Sequence, residues 1–225
     1  MPLTEFPDVI QGSDEWLDQR RGLVTASVVG QLVTPKTLKI ASNDKSRSIV
    51  AQLVAERITG YTEPTYIGDD MLRGIDDELR ARDLYAEFYQ RPVREVGFLL
   101  RKEDSWQLGY SPDGLVGDDG LIEVKSRRAK LHLGTVLSGE VPAEYMAQCQ
   151  AGLLVSGREW LDFISYSGGM AMWHKRLRPN PEWQEAIVAA VEQFEETAAE
   201  MVAEYATKTE GLPATERIIH MEMRI

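Results

Sequence analysis

Two short stretches near the middle of the chain carry residue types from which a hydrolytic metal site is built: Ser111-Pro112-Asp113-Gly114, then Glu123-Val124-Lys125. On a β-strand, side chains two apart point the same way, so Glu123 and Lys125 project from one face while Val124 packs on the other. A Gly-containing turn would bring Asp113 alongside them. Two carboxylates hold a hard cation through oxygen, and a neighbouring lysine orients or helps deprotonate a water nucleophile. That combination suits phosphodiester hydrolysis, in which the cation neutralises charge building on the phosphoryl oxygens. By itself an E-x-K pair favours a plainer reading, an ordinary solvent-facing pair on a surface hairpin. The Pro-Asp-Gly turn one strand earlier brings the hydrolytic reading level with it.

Glu78 falls on a helix expected over 71–89, where spacings of three and four put it on one stripe with Met71, Ile75, Arg82 and Tyr85. A carboxylate in a largely apolar, inward-facing stripe needs a partner, and either Arg82 or a cation supplies it. Gln148, on a helix expected over 143–155, reads from its type alone as a solvent-facing polar residue. Near the N-terminus Thr25-Ala26-Ser27 opens a helix, and such ends attract anions through free N–H groups and the helix dipole. Hydroxyls there bind phosphate, and Arg20 and Lys36, one helix to either side, add charge. Chemistry alone favours a simpler account, with Thr25 as a plain N-cap and Arg20 and Lys36 solvated. His132, His174 and His220 lack the spacing for zinc and are assigned to surface or core. The single cysteine, Cys149, cannot form an internal disulfide and reads as a buried small hydrophobe.

The elements that must position these residues follow from hydrophobic periodicity. Residues 13–33 carry helical spacing in two pieces broken by Gly22, with Ser13 and Thr25 as caps, and 46–58 forms a helix ending at Thr59-Gly60. The helix over 71–89 is entered near Asp69-Asp70 and stops before Arg91-Pro92. Strand-like runs follow at 93–101, 106–111 and 121–126, with turns at Pro112-Asp113-Gly114 and Asp118-Asp119-Gly120, and read together as an antiparallel meander. After the helix at 143–155, strands at 160–166 and 170–177 turn at Gly168-Gly169, and 182–205 is a long amphipathic helix. The order implies one α/β domain over 1–225 with a mixed sheet flanked by helices.

Composition fits that domain: 225 residues, 43% hydrophobic and 27% charged. No run of about 18 apolar residues exists, and Met1–Glu5 lacks a basic region leading into an apolar core. A soluble cytoplasmic protein without a membrane span or signal peptide is expected. A net charge of −11 argues against coating nucleic acid through bulk positive potential. Basic residues are nevertheless grouped, at Lys36, Lys39, Lys45 and Arg47, at Lys125, Arg127, Arg128 and Lys130, and at Lys175, Arg176 and Arg178. The stretch 182–204 is acidic, so a basic groove on an acidic body fits the distribution.

Taken in order, several segments resemble the phage lambda exonuclease family, the YqaJ-type viral recombinases of the PD-(D/E)xK nuclease superfamily. They are Gln11-Gly12-Ser13-Asp14-Glu15-Trp16 with Arg20, Gly22 and Thr25-Ala26-Ser27; Gly74 to Glu78 with Ala81; Ser111–Gly114; Glu123–Lys125; and Tyr145-Met146-Ala147-Gln148-Cys149-Gln150. The likeness spans about 11–160 and fades beyond. It implies a restriction-endonuclease-like α/β core, with the helical part about 13–60 forming a 5′-phosphate pocket and a closing helix about 182–205. It further implies a two-metal Mg²⁺ site, with Mn²⁺ as a substitute, held by Asp113, Glu123, the Val124 carbonyl and Glu78. Lys125 and Gln148 would hold the nucleophilic water. Arg20, Ser27 and Thr25 would receive the 5′-phosphate, with Lys36 as a further basic residue reached across a one-residue gap. The implied activity is processive 5′ to 3′ digestion of one strand of linear duplex DNA, leaving 3′ overhangs. The implied partners are two further copies in a ring and a single-strand annealing protein, in a bacterial host carrying the phage or prophage.

Two rivals remain, an endonuclease that would share Glu78, Asp113, Glu123 and Lys125 and a silent module against which the presence of all four argues. An endonuclease of the same fold would cut covalently closed plasmid, and a catalytically silent DNA-end-binding module would release no mononucleotides.

Overall fold

The computed structural model describes residues 3–64 and 68–217, and local signals explain where most of its elements start and stop. A short strand, β1 (Leu3–Phe6), precedes α1 (Asp14–Arg20), which Ser13 caps by accepting the Trp16 N–H. Next come a single helical turn, α2 (Ala26–Val29), and a small hairpin of β2 (Val33–Thr34) and β3 (Lys39–Ile40). Helix α3 (Asp44–Thr59) opens on a capping box between Asn43 and Ser46 and closes on Gly60 at φ 62°, the left-handed conformation glycine adopts without strain. Helix α4 (Asp69–Tyr89) ends at Gln90, just before Arg91-Pro92. The strands β4 (Val93–Arg94), β5 (Phe98–Lys102), β6 (Gln107–Tyr110), β7 (Gly114–Val116) and β8 (Gly120–Ser126) follow. The chain then forms α5 (Ala129–Ser138), α6 (Ala143–Ser156), β9 (Trp160–Tyr166), β10 (Trp173–Leu177) and α7 (Pro181–Lys208).

The strands make a five-stranded mixed sheet in the order β10-β9-β8-β7-β4 and a three-stranded antiparallel sheet in the order β1-β5-β6. The β8–β9 pair is parallel, and the connection between them is the crossover through α5 and α6 that parallel pairing requires. Alternation along β8 sorts its side chains. Ile122 and Val124 pack with Ala81 and Tyr85 of α4, whereas Leu121 joins Leu161, Phe163, Ala147 and Ile187 beneath α6 and α7. The five-stranded sheet is thus covered by α4 on one face and by α6 on the other.

The expected meander is not what forms. The run 93–101 divides at Glu95–Gly97, so that β4 enters one sheet and β5 the other. Gly97 marks the division, because a Cβ there would lie 1.7 Å from the Val9 carbonyl oxygen and a strand with side chains could not pass so closely. The chain then crosses between sheets at Ser111–Asp113, where Gln11 Nε2 donates to the Pro112 carbonyl at 3.2 Å. Five elements are not legible from periodicity: β1, β2, β3, β7 and α5. Helix α5 hides its periodicity by inversion, with His132 and Thr135 buried and Leu131, Leu133, Val136 and Leu137 exposed. Cys149 is buried as expected, His132 is a core residue held by Ser165 and Ala171, and His220 lies outside the described residues. Among the described residues no helix is long and apolar enough to cross a membrane.

Candidate functional site

Strand β8 carries Glu123 into the interior with 1% exposure, which removes the reading of a solvent-facing Glu/Lys pair. Its carboxylate accepts three donors. Tyr110 donates its hydroxyl at 3.0 Å, Lys125 its ammonium at 2.7 Å, and Gln148 its amide from α6. Gln148 is therefore not the solvent-facing residue its type suggests. Helix α6 is buried along most of its length, so a polar side chain there meets the sheet before it meets water. Asp113, at the entry to β7, accepts the Val124 N–H at 2.6 Å and lies beside the strand that carries Glu123.

These acids crowd one another. Burial, then Glu123, then Glu78 push the Asp113 carboxyl well above the usual carboxylate range, against the pull of Lys125 and the Val124 N–H. Glu78 is raised as well, first by burial, with Arg82 opposing and Glu123 adding to it. Burial works against the charge of Lys125, but Glu123 and Asp113 outweigh it and hold the ammonium protonated. Arg82 is a poor private partner for Glu78: it stands 4.0 Å away while binding Glu95 at 3.0 Å and the Asp113 carbonyl at 3.2 Å. The stripe around Glu78 is also less inward than periodicity implies, since Met71 and Ile75 are exposed and only Arg82 and Tyr85 are buried.

A second group lies against the first. Arg20, in the last turn of α1, stacks its guanidinium on Trp16 at 4.0 Å and donates to Ser111 at 3.2 Å, to Thr25 at 3.3 Å and to Ser27 at 3.2 Å. Trp16 donates its indole N–H to the same Ser111 hydroxyl at 2.8 Å, and the Thr25 and Ser27 hydroxyls are 3.0 Å apart. Thr25 occupies the N-cap position of α2 without capping it, because its hydroxyl is committed to Arg20 and Ser27. Arg20 is likewise not solvated; burial lowers its pKa to about 10, with Glu56 opposing, and it is charged at neutral pH.

One cleft of about 280 Å³ joins the two groups, lined by Arg20, Ser27, Glu78, Asp113, Glu123, Val124, Lys125 and Gln148, together with Gln11, Trp16, Tyr110 and Ser111. Of the expected site residues, Thr25 reaches the cleft through Arg20, and Lys36 stands exposed between β2 and β3, outside this cleft. Sequence reasoning assigned no part to Trp16, Ser111 or Tyr110. Trp16 carried a signal, since it lies four residues from Arg20 on one helix. Ser111 sat within a motif already singled out, and Tyr110 had nothing to mark it.

Among the described residues no three acidic, histidine or cysteine side chains converge closely enough to enclose an ion unaided. The donor chemistry nonetheless fits a hard divalent cation. Asp113 and Glu123 offer buried carboxylate oxygens, Glu78 lines the same cleft, and their mutual repulsion is the electrostatic condition that a cation relieves.

Fold and site together define an α/β protein of the restriction-endonuclease-like fold with an acid–lysine centre on one strand. The YqaJ-like viral recombinase domain matches residues 15–159, and the chain belongs to that family, as its motifs implied. It is similar to an alkaline exonuclease, LHK-Exo, from Laribacter hongkongensis, at 30% identity and a TM-score of 0.79, covering 89% of this chain and 100% of that one. The same enzyme in complex with dAMP matches at 30% identity and a TM-score of 0.78, with the same coverage. A phage related exonuclease from Haemophilus somnus 129PT shares the fold at 14% identity and a TM-score of 0.56, covering 80% of this chain and 96% of that one. No curated protein matches the chain.

Proposed function

We propose that this protein is a metal-dependent exonuclease that digests one strand of linear double-stranded DNA from its 5′ end. The observation that carries the reading is the single cleft in which the acid–lysine centre adjoins a half-buried arginine ringed by hydroxyls. An end-directed hydrolase needs both parts, one to break the phosphodiester and one to recognise the terminal phosphate. The relatives named as exonucleases, one of them solved with dAMP, support the reading.

Asp113, Glu123, the Val124 carbonyl and Glu78 would hold Mg²⁺, in two positions, with Mn²⁺ as a substitute. When bound, the cation supplies charge neutralisation at the phosphoryl oxygens and lowers the pKa of water. Gln148, from α6, and Lys125, from β8, both donate to the same Glu123 oxygen and would together hold the nucleophilic water. In the protonated form that Glu123 and Asp113 favour, Lys125 orients the attacking water and stabilises negative charge on the phosphate. Arg20 and Ser27 would bind the 5′-phosphate through charge-assisted hydrogen bonds, with Thr25 and Ser111 holding the Arg20 guanidinium, and Lys36 would be a further basic residue outside the cleft.

A chain of net charge −11 cannot rely on diffuse attraction to DNA, so persistence on one molecule calls for enclosure. The reading therefore includes a ring of three copies, 3′ overhangs as product, and a single-strand annealing protein as partner, all in a bacterial cytoplasm. The deciding experiment compares linear duplexes bearing 5′-phosphate or 5′-hydroxyl ends with covalently closed circles, in Mg²⁺ and in EDTA. Mononucleotide release from linear DNA only, fastest from phosphorylated ends and abolished by EDTA, is expected. Cutting of closed circles overturns the end-directed activity. Light scattering tests the trimer, and digestion that stops when unlabelled competitor DNA is added overturns processivity.

A further inference from the structure

The fold contains a buried acid that the chemistry above does not use. Glu56, on α3, is 6% exposed and has no ion-pair partner within 4 Å among the described residues. Burying a carboxylate is costly unless its oxygens are occupied, and here they accept two neutral donors: the Gly22 N–H at 2.8 Å and the Gln52 amide at 3.2 Å. The next residue on α3 grips the other side of the same glycine. Arg57 donates Nε to the Gly22 carbonyl at 2.7 Å and spends both terminal nitrogens on Glu195 of α7, at 2.7 and 2.8 Å, with its plane over Phe194 at 4.9 Å.

What they grip is the turn leading out of Arg20. Leu23 N–H donates to the Arg20 carbonyl at 3.1 Å, Arg21 sits at φ −58° and ψ 123°, and Gly22 at φ 64°. Those angles follow the type II pattern, in which a positive φ at the third residue calls for glycine. Space imposes the same choice, since a Cβ on Gly22 would lie 2.4 Å from Cγ of Arg57. Type I and type II turns differ by a flip of the central peptide, whose N–H here belongs to Gly22. The bond to Glu56 fixes which way that N–H points.

We propose that Glu56 and Arg57 are positioning residues of the terminal-phosphate pocket, clamping the Gly22 turn from α3, with α7 anchoring the clamp through Glu195, so that Arg20 presents its guanidinium to the phosphate. The proposal rests on the reading of Arg20 as the phosphate ligand. It gives a task to α7, which lies beyond the segment matched by the family.

The experiment measures kcat/KM on linear duplexes with 5′-phosphate and 5′-hydroxyl ends and takes their ratio, alongside the thermal midpoint of each variant. Glu56→Ala should lower the ratio about fivefold or more, since displacement of a binding group by a fraction of an ångström is felt at that scale, while activity on hydroxyl ends stays within about twofold. Glu56→Gln, which can still accept the Gly22 N–H, should keep the wild-type ratio to within about twofold. Arg57→Ala should reproduce the Glu56→Ala result from the other side of the turn, and Glu195→Gln should give a smaller drop of the same kind. If Glu56→Ala does not fold, the Arg57 and Glu195 variants carry the test. Folded variants with an unchanged ratio, or with equal loss on both ends, overturn the clamp. Arg20→Ala is the control: its ratio should collapse, and if it does not, the phosphate pocket fails and the clamp with it.

Discussion

The acid–lysine centre and the arginine pocket share a cleft but are built by opposite means. The centre stands on one regular strand, where Glu123 and Lys125 are placed by the two-residue repeat and Glu123 is held by three donors from β6, β8 and α6. The pocket is assembled from the last turn of α1, the single turn α2 and the crossing at Ser111, with hydrogen bonds of 3.2 and 3.3 Å closing it. A strand inside a sheet fixes its side chains without help. A pocket made from turns depends on whatever packs behind it, which is why α3 and α7 bear on Arg20 and not on Glu123. On the proposed reading, bond breaking would sit on the regular strand and recognition on the pocket made from turns.

If that division is right, damage to the centre should be blind to the chemistry of the DNA end. Glu123→Gln, Asp113→Asn and Lys125→Ala should each reduce turnover about a thousandfold or more on phosphorylated and hydroxyl ends alike, as removal of groups acting on the reacting atoms does. Asp113→Asn should also raise the thermal midpoint of the cation-free protein, because it deletes one of the crowded buried carboxylates. Single-turnover rates on both end types, with melting curves in EDTA, check this. Near-normal turnover in Glu123→Gln would sink the mechanism.

Legibility followed the same line. Glu123 and Lys125 are readable because a strand has a period of two, and Asp113 because it sits in a Pro-Asp-Gly turn one strand earlier. Glu78 was visible as an acid in a helical stripe, but the choice between Arg82 and a cation needed the 4.0 Å separation to Arg82 and the position of Glu95. Gln148 was misread from its type because nothing local says that α6 is covered on nearly every side. The arginine pocket was readable only through family likeness. Arg20 and Ser111 are 91 residues apart, and no periodicity links them. The sheet order was hidden for a similar reason, since Gly97 reveals its role only against the Val9 carbonyl.

Exchange of the cation is the next test in size. Ca²⁺ accepts looser, higher coordination than the near-octahedral arrangement Mg²⁺ demands, so it should support DNA binding with little cleavage. Band shifts of end-labelled duplex in Ca²⁺, followed by addition of Mg²⁺ to start digestion, separate the two. Rapid digestion in Ca²⁺ alone would remove the geometric demand from the acid centre.

Arg20→Ala should show the reverse selectivity. Charge-assisted hydrogen bonds contribute about 1.5 to 3 kcal/mol, so its loss should slow phosphorylated ends roughly tenfold to a hundredfold and hydroxyl ends far less. Equal loss on both, measured as kcat/KM, would assign Arg20 to general binding and erase the contrast between the two regions.

The smallest expected effect is the one that tests the pocket's construction. Ser27 and Thr25 both accept from the same nitrogen of Arg20, yet Ser27 is exposed and Thr25 is buried at 3%. Water can replace the Ser27 hydroxyl, so Ser27→Ala should cost about 1 kcal/mol or less, roughly a fivefold fall on phosphorylated ends. Thr25→Val preserves shape but leaves the half-buried guanidinium without an acceptor on its buried side, and the penalty for an unmet donor there is larger than the worth of an exposed bond. Thr25→Val should therefore exceed Ser27→Ala by a few-fold on phosphorylated ends, while both leave hydroxyl ends nearly unchanged. If the order is reversed, Ser27 touches the phosphate directly with more of the binding energy, and Thr25 is a spectator whose hydroxyl the turn merely happens to enclose.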